Sequence, residues 1–268
     1  NPSLGSPTVP GGANSVANGI GDQQYLGYGV NAGSGQFSYS QTLLSRSGRG
    51  MDFELVATYR NQNPNSTALG LGWDLNYFMR LAPDGANWKF HAGNGRIELF
   101  TPNSAPANTF TCLQLPFVLD VASNPANPEM KTPEGVRYMF EAEFGGSGAF
   151  RLWKIVDRNG NEIVLSYFAS SNQIEWIDDT LGARTRLTYN GGLVSQIKED
   201  SLFDPVNSPL GQRRVLLTYA TADAPQGPLG SLVTVTSPHF EFSTGTGGFA
   251  DDFNRNWAPS PVGIGNGW

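Results

Sequence analysis

His91 and His239 are the two histidines of this 268-residue chain, and Cys112 is its one cysteine. Acid–base or zinc chemistry would need partners at ligand spacing, and neither histidine has a Cys, His or carboxylate so placed in its own segment. Cys112 lies in Phe110-Thr-Cys-Leu-Gln-Leu115, an apolar strand-like run with no basic neighbour to favour a thiolate, so it reads as a buried, inert thiol. Asp157-Arg-Asn159-Gly-Asn161 has the look of a calcium loop. Such a loop requires Gly at its sixth position and a carboxylate at its twelfth, where this chain has Glu162 and Phe168, so a turn is the better reading. Asp178-Asp179 and Asp251-Asp252 are adjacent carboxylates; glycoside cleavage would need two carboxylates facing each other across a cleft. The 6 Trp and 9 Tyr could stack on sugar rings. No catalytic, cofactor-binding or metal-binding residue is assigned, and no enzyme activity is expected.

The elements that carry these residues follow a repeat. Leu152-Trp-Lys-Ile155-Val-Asp157-Arg-Asn-Gly160, ending Leu165-Ser-Tyr167, recurs as Ile174-Glu-Trp-Ile177-Asp-Asp179-Thr-Leu-Gly182, ending Leu187-Thr-Tyr189. A third copy starts at Val194 and Ile197, takes an insertion at its turn and resumes as Val215-Leu-Leu217-Thr-Tyr219. Self-similarity on this scale marks an array of supersecondary units. The trailing strands alternate strictly, with Ile163, Leu165 and Tyr167 on one face, matched by Thr185, Leu187 and Tyr189 and by Val215, Leu217 and Tyr219. That is a sheet with one constant, core-facing side, and the tyrosines belong to it. The leading strands space their apolar residues by three, out of phase for a flat strand, which predicts a bulge or burial on both faces. Ala82-Pro-Asp-Gly85, Thr132-Pro-Glu-Gly135, Asp157–Gly160, Asp179–Gly182, Ser208-Pro-Leu-Gly211 and Gly227-Pro-Leu-Gly230 each place Gly fourth, as in a type I turn closed by a glycine bulge.

Composition agrees with many short strands. The 33 Gly and 18 Pro, with 39% hydrophobic residues, suit tight turns better than long helices. A net charge of -6 without any Lys/Arg cluster argues against nucleic acid as a partner. No stretch is long and apolar enough for a transmembrane helix.

These residues resemble the RHS, or YD-repeat, family. Upstream, Gly35-Gln-Phe37, Leu43-Leu44-Ser-Arg-Ser-Gly-Arg-Gly50, Ala57-Thr-Tyr59-Arg60-Asn61 and Leu69-Gly70-Leu-Gly72-Trp73 are similar to the segment that leads into the repeats of bacterial RHS proteins, and Phe90–Phe100 and Gly135–Phe140 continue the run. The Tyr-Asp pair that names the repeat is absent, because Tyr167, Tyr189 and Tyr219 precede Phe168, Asn190 and Ala220. The resemblance implies hairpins wound into a shell wall, as in Tc-toxin cocoons and teneurin barrels. About three copies are too few to close a cavity by themselves. Phe249–Trp257 and Gly267-Trp268 resemble the opening of a laminin-G-like or concanavalin-like jelly roll.

The expected organisation is a Pro/Gly/Ser-rich flexible leader over 1–22, a β-rich RHS lead-in over 23–150, hairpin repeats over 151–236, and a linker with the start of a jelly roll over 237–268. The expected fold is all-β, an array of antiparallel hairpins. Structural positions are Asp157, Gly160, Leu165, Tyr167, Asp179, Gly182, Leu187, Tyr189, Leu217 and Tyr219, with Tyr59, Gly70, Gly72 and Trp73 in the lead-in. The role implied is structural, at a bacterial cell surface or outside the cell, in a processed product or fragment that encloses or presents a C-terminal cargo domain. Its partners would be further repeats or copies of itself. An adhesin module binding glycan or a cell is the alternative, and a glycan-active enzyme fragment the third reading.

Overall fold

The computed structural model describes residues 35–63, 66–121, 123–200, 212–221, 230–236 and 239–241. The expected leader, the Ser208–Gly211 turn and the jelly-roll-like Phe249–Trp257 and Gly267-Trp268 lie outside the described residues. Every pairing between strands is antiparallel, and no helix occurs among the described residues.

The lead-in opens with a long hairpin, β1 (Ser38–Arg46) and β2 (Phe53–Arg60). A small hairpin follows, β3 (Ser66–Thr67) and β4 (Gly70–Leu71), and then β5 (Trp73–Leu75), which pairs with β2. The chain next runs as a meander through β6 (Met79–Asp84), β7 (Asn87–Ala92), β8 (Ile97–Pro102), β9 (Thr109–Thr111), β10 (Val118–Asp120), β11 (Glu129–Lys131), β12 (Arg137–Ala142) and β13 (Phe150–Val156). β13 pairs with β12 along its length and with β6 at Phe150↔Leu81 and Arg151↔Arg80, so β6 through β13 close into a barrel-like ring. Closure therefore uses the leading strand of the first repeat, β13, and needs none of the later copies. It brings Phe90 into edge-on contact with Phe100 and Phe140, all three fully buried inside the ring.

From β13 the sheet continues through β14 (Glu162–Tyr167), β15 (Ile174–Asp178), β16 (Arg184–Asn190), β17 (Leu193–Asp200), β18 (Gln212–Tyr219) and β19 (Leu232–Val235), with β20 (His239–Glu241) also on β18. The spacing of three has one cause throughout. Trp153, Glu175 and Ser195 are each an extra residue opposite the neighbouring strand, so Leu152/Ile155, Ile174/Ile177 and Val194/Ile197 both reach the same buried face. Leu232/Val235 repeats the pattern with Val233 as the bulge, a fourth leading strand that the sequence alone does not make plain.

One turn departs from expectation. Ala82, Pro83 and Asp84 are strand residues, and the reversal is the two-residue Gly85-Ala86 loop, since Asp84 pairs with Asn87. Gly85 supplies the positive φ, 62°, that such a loop needs. Pro83 is tolerated because β13 pairs with β6 only at Arg80 and Leu81, and Pro83 lies beyond that pairing.

Candidate functional site

The repeat corners are built by their aspartates. Gly160 N–H donates to the Asp157 carbonyl and Asp157 N–H to that of Asn161, a type I turn completed by a glycine bulge, with Gly160 at φ 84°. The Asp157 carboxylate accepts from Asn159 N at 2.8 Å, Asn161 N at 2.9 Å and Asn161 Nδ2 at 2.7 Å. Burial alone would raise its pKa, but the hydrogen bonds from Asn161 and Asn159 outweigh that and hold it below the usual carboxylate range. Asp179 repeats the device, with Leu181 N and Ala183 N on Oδ1 and Gly182 at φ 77°.

The β1–β2 hairpin docks on these corners. Arg46 donates Nε to Asp179 Oδ2 at 2.9 Å and Nη1 to Glu199 Oε1 at 3.1 Å, and Nη2 to both the Ala183 carbonyl at 3.1 Å and Thr185 Oγ1 at 3.0 Å. Its guanidinium also lies over the Phe53 ring, 4.5 Å from the centroid. Arg213 grips Glu199 from the other side and donates to the Ser45 carbonyl at 2.9 Å. At the hairpin tip, Arg49 N–H donates to Thr180 Oγ1 at 2.6 Å. A Cβ on Gly50, whose φ is 76°, would stand 2.2 Å from Asp157 Oδ2. The tip thus presses backbone against both corners, and no side chain fits between them. Asp179 and Arg46 are 2% and 15% exposed at their side chains, so this clasp works largely out of water.

The remaining predicted positions line the buried side. Leu165, Leu187 and Leu217 are buried, and Tyr167, Tyr189 and Tyr219 pack half-buried against the same core. Burial raises the pKa of all three tyrosines. Each hydroxyl donates to the carbonyl of the first residue of the buried apolar pair on its own leading strand: Tyr167 to Leu152, Tyr189 to Ile174 at 2.9 Å and Tyr219 to Val194 at 2.8 Å. In the lead-in, Tyr59 and Trp73 are in ring contact at 5.5 Å, and a Cβ on Gly72 would come within 2.8 Å of the Tyr59 ring. A Cβ on Gly70, at φ 93°, would lie 2.5 Å from the Gly230 carbonyl, which brings the Gly-x-Gly-Trp element onto the far end of the repeats.

A second polar centre lies between the lead-in hairpins and the ring. Asn63, Thr67, Asp74, Arg80, His91 and Arg96 help to line a cavity of about 230 Å³. Asp74 is buried and accepts from Gly95 N at 2.8 Å and from Leu75 N. Desolvation raises its pKa to about 6, against the lowering effect of those bonds and of Arg60. Desolvation lowers that of His91, with Arg80 adding to the effect. Arg80 is paired with Glu143, and Arg96 with Glu98. The neighbouring carboxylates Asp178 and Asp179 diverge, Asp178 taking Arg184 in a bidentate pair while Asp179 takes Arg46. Cys112 is buried, its thiol pKa is raised by desolvation, and it lies near Glu98 and Gln114. Among the described residues no group of His, Cys, Asp and Glu is placed to hold a metal ion.

Sequence reasoning found the corner aspartates and missed their partners. Arg46, Glu199, Arg213 and Asp74 carry no local signal, because their partners are 14 or more residues away or are backbone amides.

No curated protein matches the chain in sequence. Residues 27–100 match the family described as a domain of unknown function, DUF6531. Among solved structures, the chain is similar to a Tc holotoxin pore of Photorhabdus luminescens, at 13% identity and a TM-score of 0.51, over 75% of this chain and 14% of that one. It is also similar to the N-terminal domain of the effector protein SpvB from Salmonella typhimurium, at 12% identity and a TM-score of 0.37, over 74% of this chain and 78% of that one. The chain thus spans about 14% of the length of the holotoxin chain, and that likeness is one of fold.

Proposed function

We propose that this chain is the anchored beginning of an RHS-type shell wall, a structural, non-enzymatic element of a bacterial toxin-associated protein that works outside the cell. The observation that carries the reading is the Arg46–Asp179–Glu199–Arg213 clasp. It fastens a lead-in hairpin to the corners of the repeat sheet, fixing the first turns of a wall that further repeats can extend. The fold likeness to a Tc holotoxin supports the same reading. The resemblance of the repeats to the RHS consensus adds that such a wall encloses or presents a cargo domain. Among the described residues β19 pairs on one side only, with β18, and has the bulge of a repeat leading strand, so it offers an edge suited to the next repeat.

Carbohydrate binding is less well supported by the side chains. Arg184 and Arg186 lie over the Trp176 ring at 5.0 and 4.5 Å, and Lys154 lies 4.6 Å from the Trp153 centroid, so these rings already have cations on them. Electron microscopy of the full-length protein from its source tests the proposal. A hollow particle with β13–β19 in its wall is expected; a solid particle without an internal cavity contradicts it.

A further inference from the structure

The first two repeat hairpins are zipped next to their corners, and the third over a ladder of the same length. The ladder runs from Lys154↔Val164 to Val156↔Glu162 in the first, from Trp176↔Arg186 to Asp178↔Arg184 in the second, and from Gln196↔Leu216 to Lys198↔Arg214 in the third. Beyond it the two strands part, while each trailing strand stays paired with the next leading strand. The tyrosine hydroxyl spans each parting to reach the leading-strand carbonyl. The three openings are therefore equivalent in position, and they differ in what fills them.

The first opening is filled by β6, whose Arg80 and Leu81 pair with Arg151 and Phe150 on the edge that β14 leaves. The third is filled by the loop between β3 and β4. There the Ala68 carbonyl accepts from Val194 N–H at 2.7 Å, and Gly70 is packed against the Gly230 carbonyl. The second takes neither strand nor loop among the described residues: Gln173 Nε2 donates to the Gly192 carbonyl at 3.3 Å and the Phe168 ring packs edge-on against Tyr189, beside a cavity of about 450 Å³ lined by Phe168, Gln173, Arg186, Leu187, Thr188 and Tyr189. Arg186 and Thr188 are exposed on one face of the sheet, and Leu187 and Tyr189 belong to the core side. The lining thus draws on both faces of β16. The cavity's size lies within the ~300–1,000 Å³ typical of ligand sites.

We propose that this middle opening is a docking site for an extended segment of another polypeptide, bound through its main chain. The occupant is argued from the flanking openings, which both take backbone: a strand in one, and in the other a turn that offers the Ala68 carbonyl to Val194 N–H and lays Gly70 against the Gly230 carbonyl. The site is continuous with the interface between lead-in and repeats that fills its neighbours. Side chains at the contact must be small, as Ala68 and Gly70 are, and an acidic residue at the rim would find Arg186, whose own partner Glu175 is at 3.8 Å. Strand addition of this kind draws affinity from main-chain hydrogen bonds and specificity from the side-chain pockets. The proposal concerns a partner and stands whether or not the chain forms a shell wall.

The probe is the chain's own loop sequence as a labelled hexapeptide, Ser-Thr-Ala-Leu-Gly-Leu, titrated against the full 268-residue chain by fluorescence anisotropy. Hydrogen exchange maps the contact. Saturable binding with protection of the amides of residues 173–175 and 186–190 is expected. Thr188→Trp, which enlarges an exposed side chain into the opening, is expected to weaken binding at least tenfold with an unchanged melting temperature. Gln173→Trp blocks the same space and serves if Thr188→Trp melts lower. Absence of saturation overturns the proposal, as does protection confined to Val194 and Gly230, which would mean the peptide had replaced its parent loop. Unchanged affinity in both variants, or protection of the same amides by maltohexaose and not by peptide, overturns it too.

Discussion

Replacing Arg46 with alanine removes four hydrogen bonds at once, two of them also ion pairs, all from one side chain. What remains is Asp179, 2% exposed at its side chain, holding a charge that only Leu181 N–H and Ala183 N–H then compensate. Glu199 keeps Arg213, so its loss is smaller. Removing one partner of a buried pair costs about 3–5 kcal/mol, because the surviving charge stays desolvated. Because Glu199, 16% exposed at its side chain, keeps a second cation, the expected loss lies near the lower end, about 3 kcal/mol. Urea unfolding of the full chain measures it, with the slope checked so that a change in midpoint is a change in stability. Arg46→Lys keeps the charge and loses the fork, and should fall between the two. In a double-mutant cycle with Asp179→Asn, coupling should exceed about 1 kcal/mol. A loss below about 1 kcal/mol for Arg46→Ala, with no coupling, would refute the clasp as the joint between lead-in and repeats.

Tyr189→Phe leaves the buried Ile174 carbonyl without its donor and should cost about 1–2 kcal/mol in the same unfolding assay; no change would mean the hydroxyl bond is incidental. Gly182→Ala puts a Cβ at φ 77° and should cost about 1 kcal/mol, with an effect near zero counting against the corner assignment. Asp74 has a folded pKa raised from 3.8 to about 6, so its contribution is fully present below pH ~4 and is lost as pH rises through ~6. That contribution is about 3 kcal/mol. Carboxyl-selective NMR should show a midpoint near 6 for this residue, and a midpoint near 4 would remove the claim.

The sequence speaks most clearly where a rule is local. Asp157 and Gly160, or Asp179 and Gly182, are three positions apart and complete each other within one turn, so type and spacing suffice to place them. The alternation of Ile163, Leu165 and Tyr167 likewise reports a face directly. The bulges at Trp153, Glu175 and Ser195 were legible only as a phase error, since the extra residue is defined by the strand opposite. Nothing in the chain's order announces that Arg46 meets Glu199, 153 positions on, or that β13 returns to β6 and closes a ring with the first repeat strand. The first contact comes from docking of a separate three-stranded sheet on the repeat corners, the second from closure of the long sheet, and both join distant residues by topology. The Pro83 turn was misplaced because Pro-x-Gly also fits a strand end when the strand's outer edge is free.

The central claim is that the repeat sheet is a wall segment awaiting extension at β19. Size-exclusion chromatography with light scattering on the purified 268-residue chain tests it most directly. The account predicts self-association, with masses that are multiples of 28.8 kDa, as β19 strands, paired on one side only among the described residues, pair with one another. A monomer of 28.8 kDa that melts in one cooperative transition would contradict it.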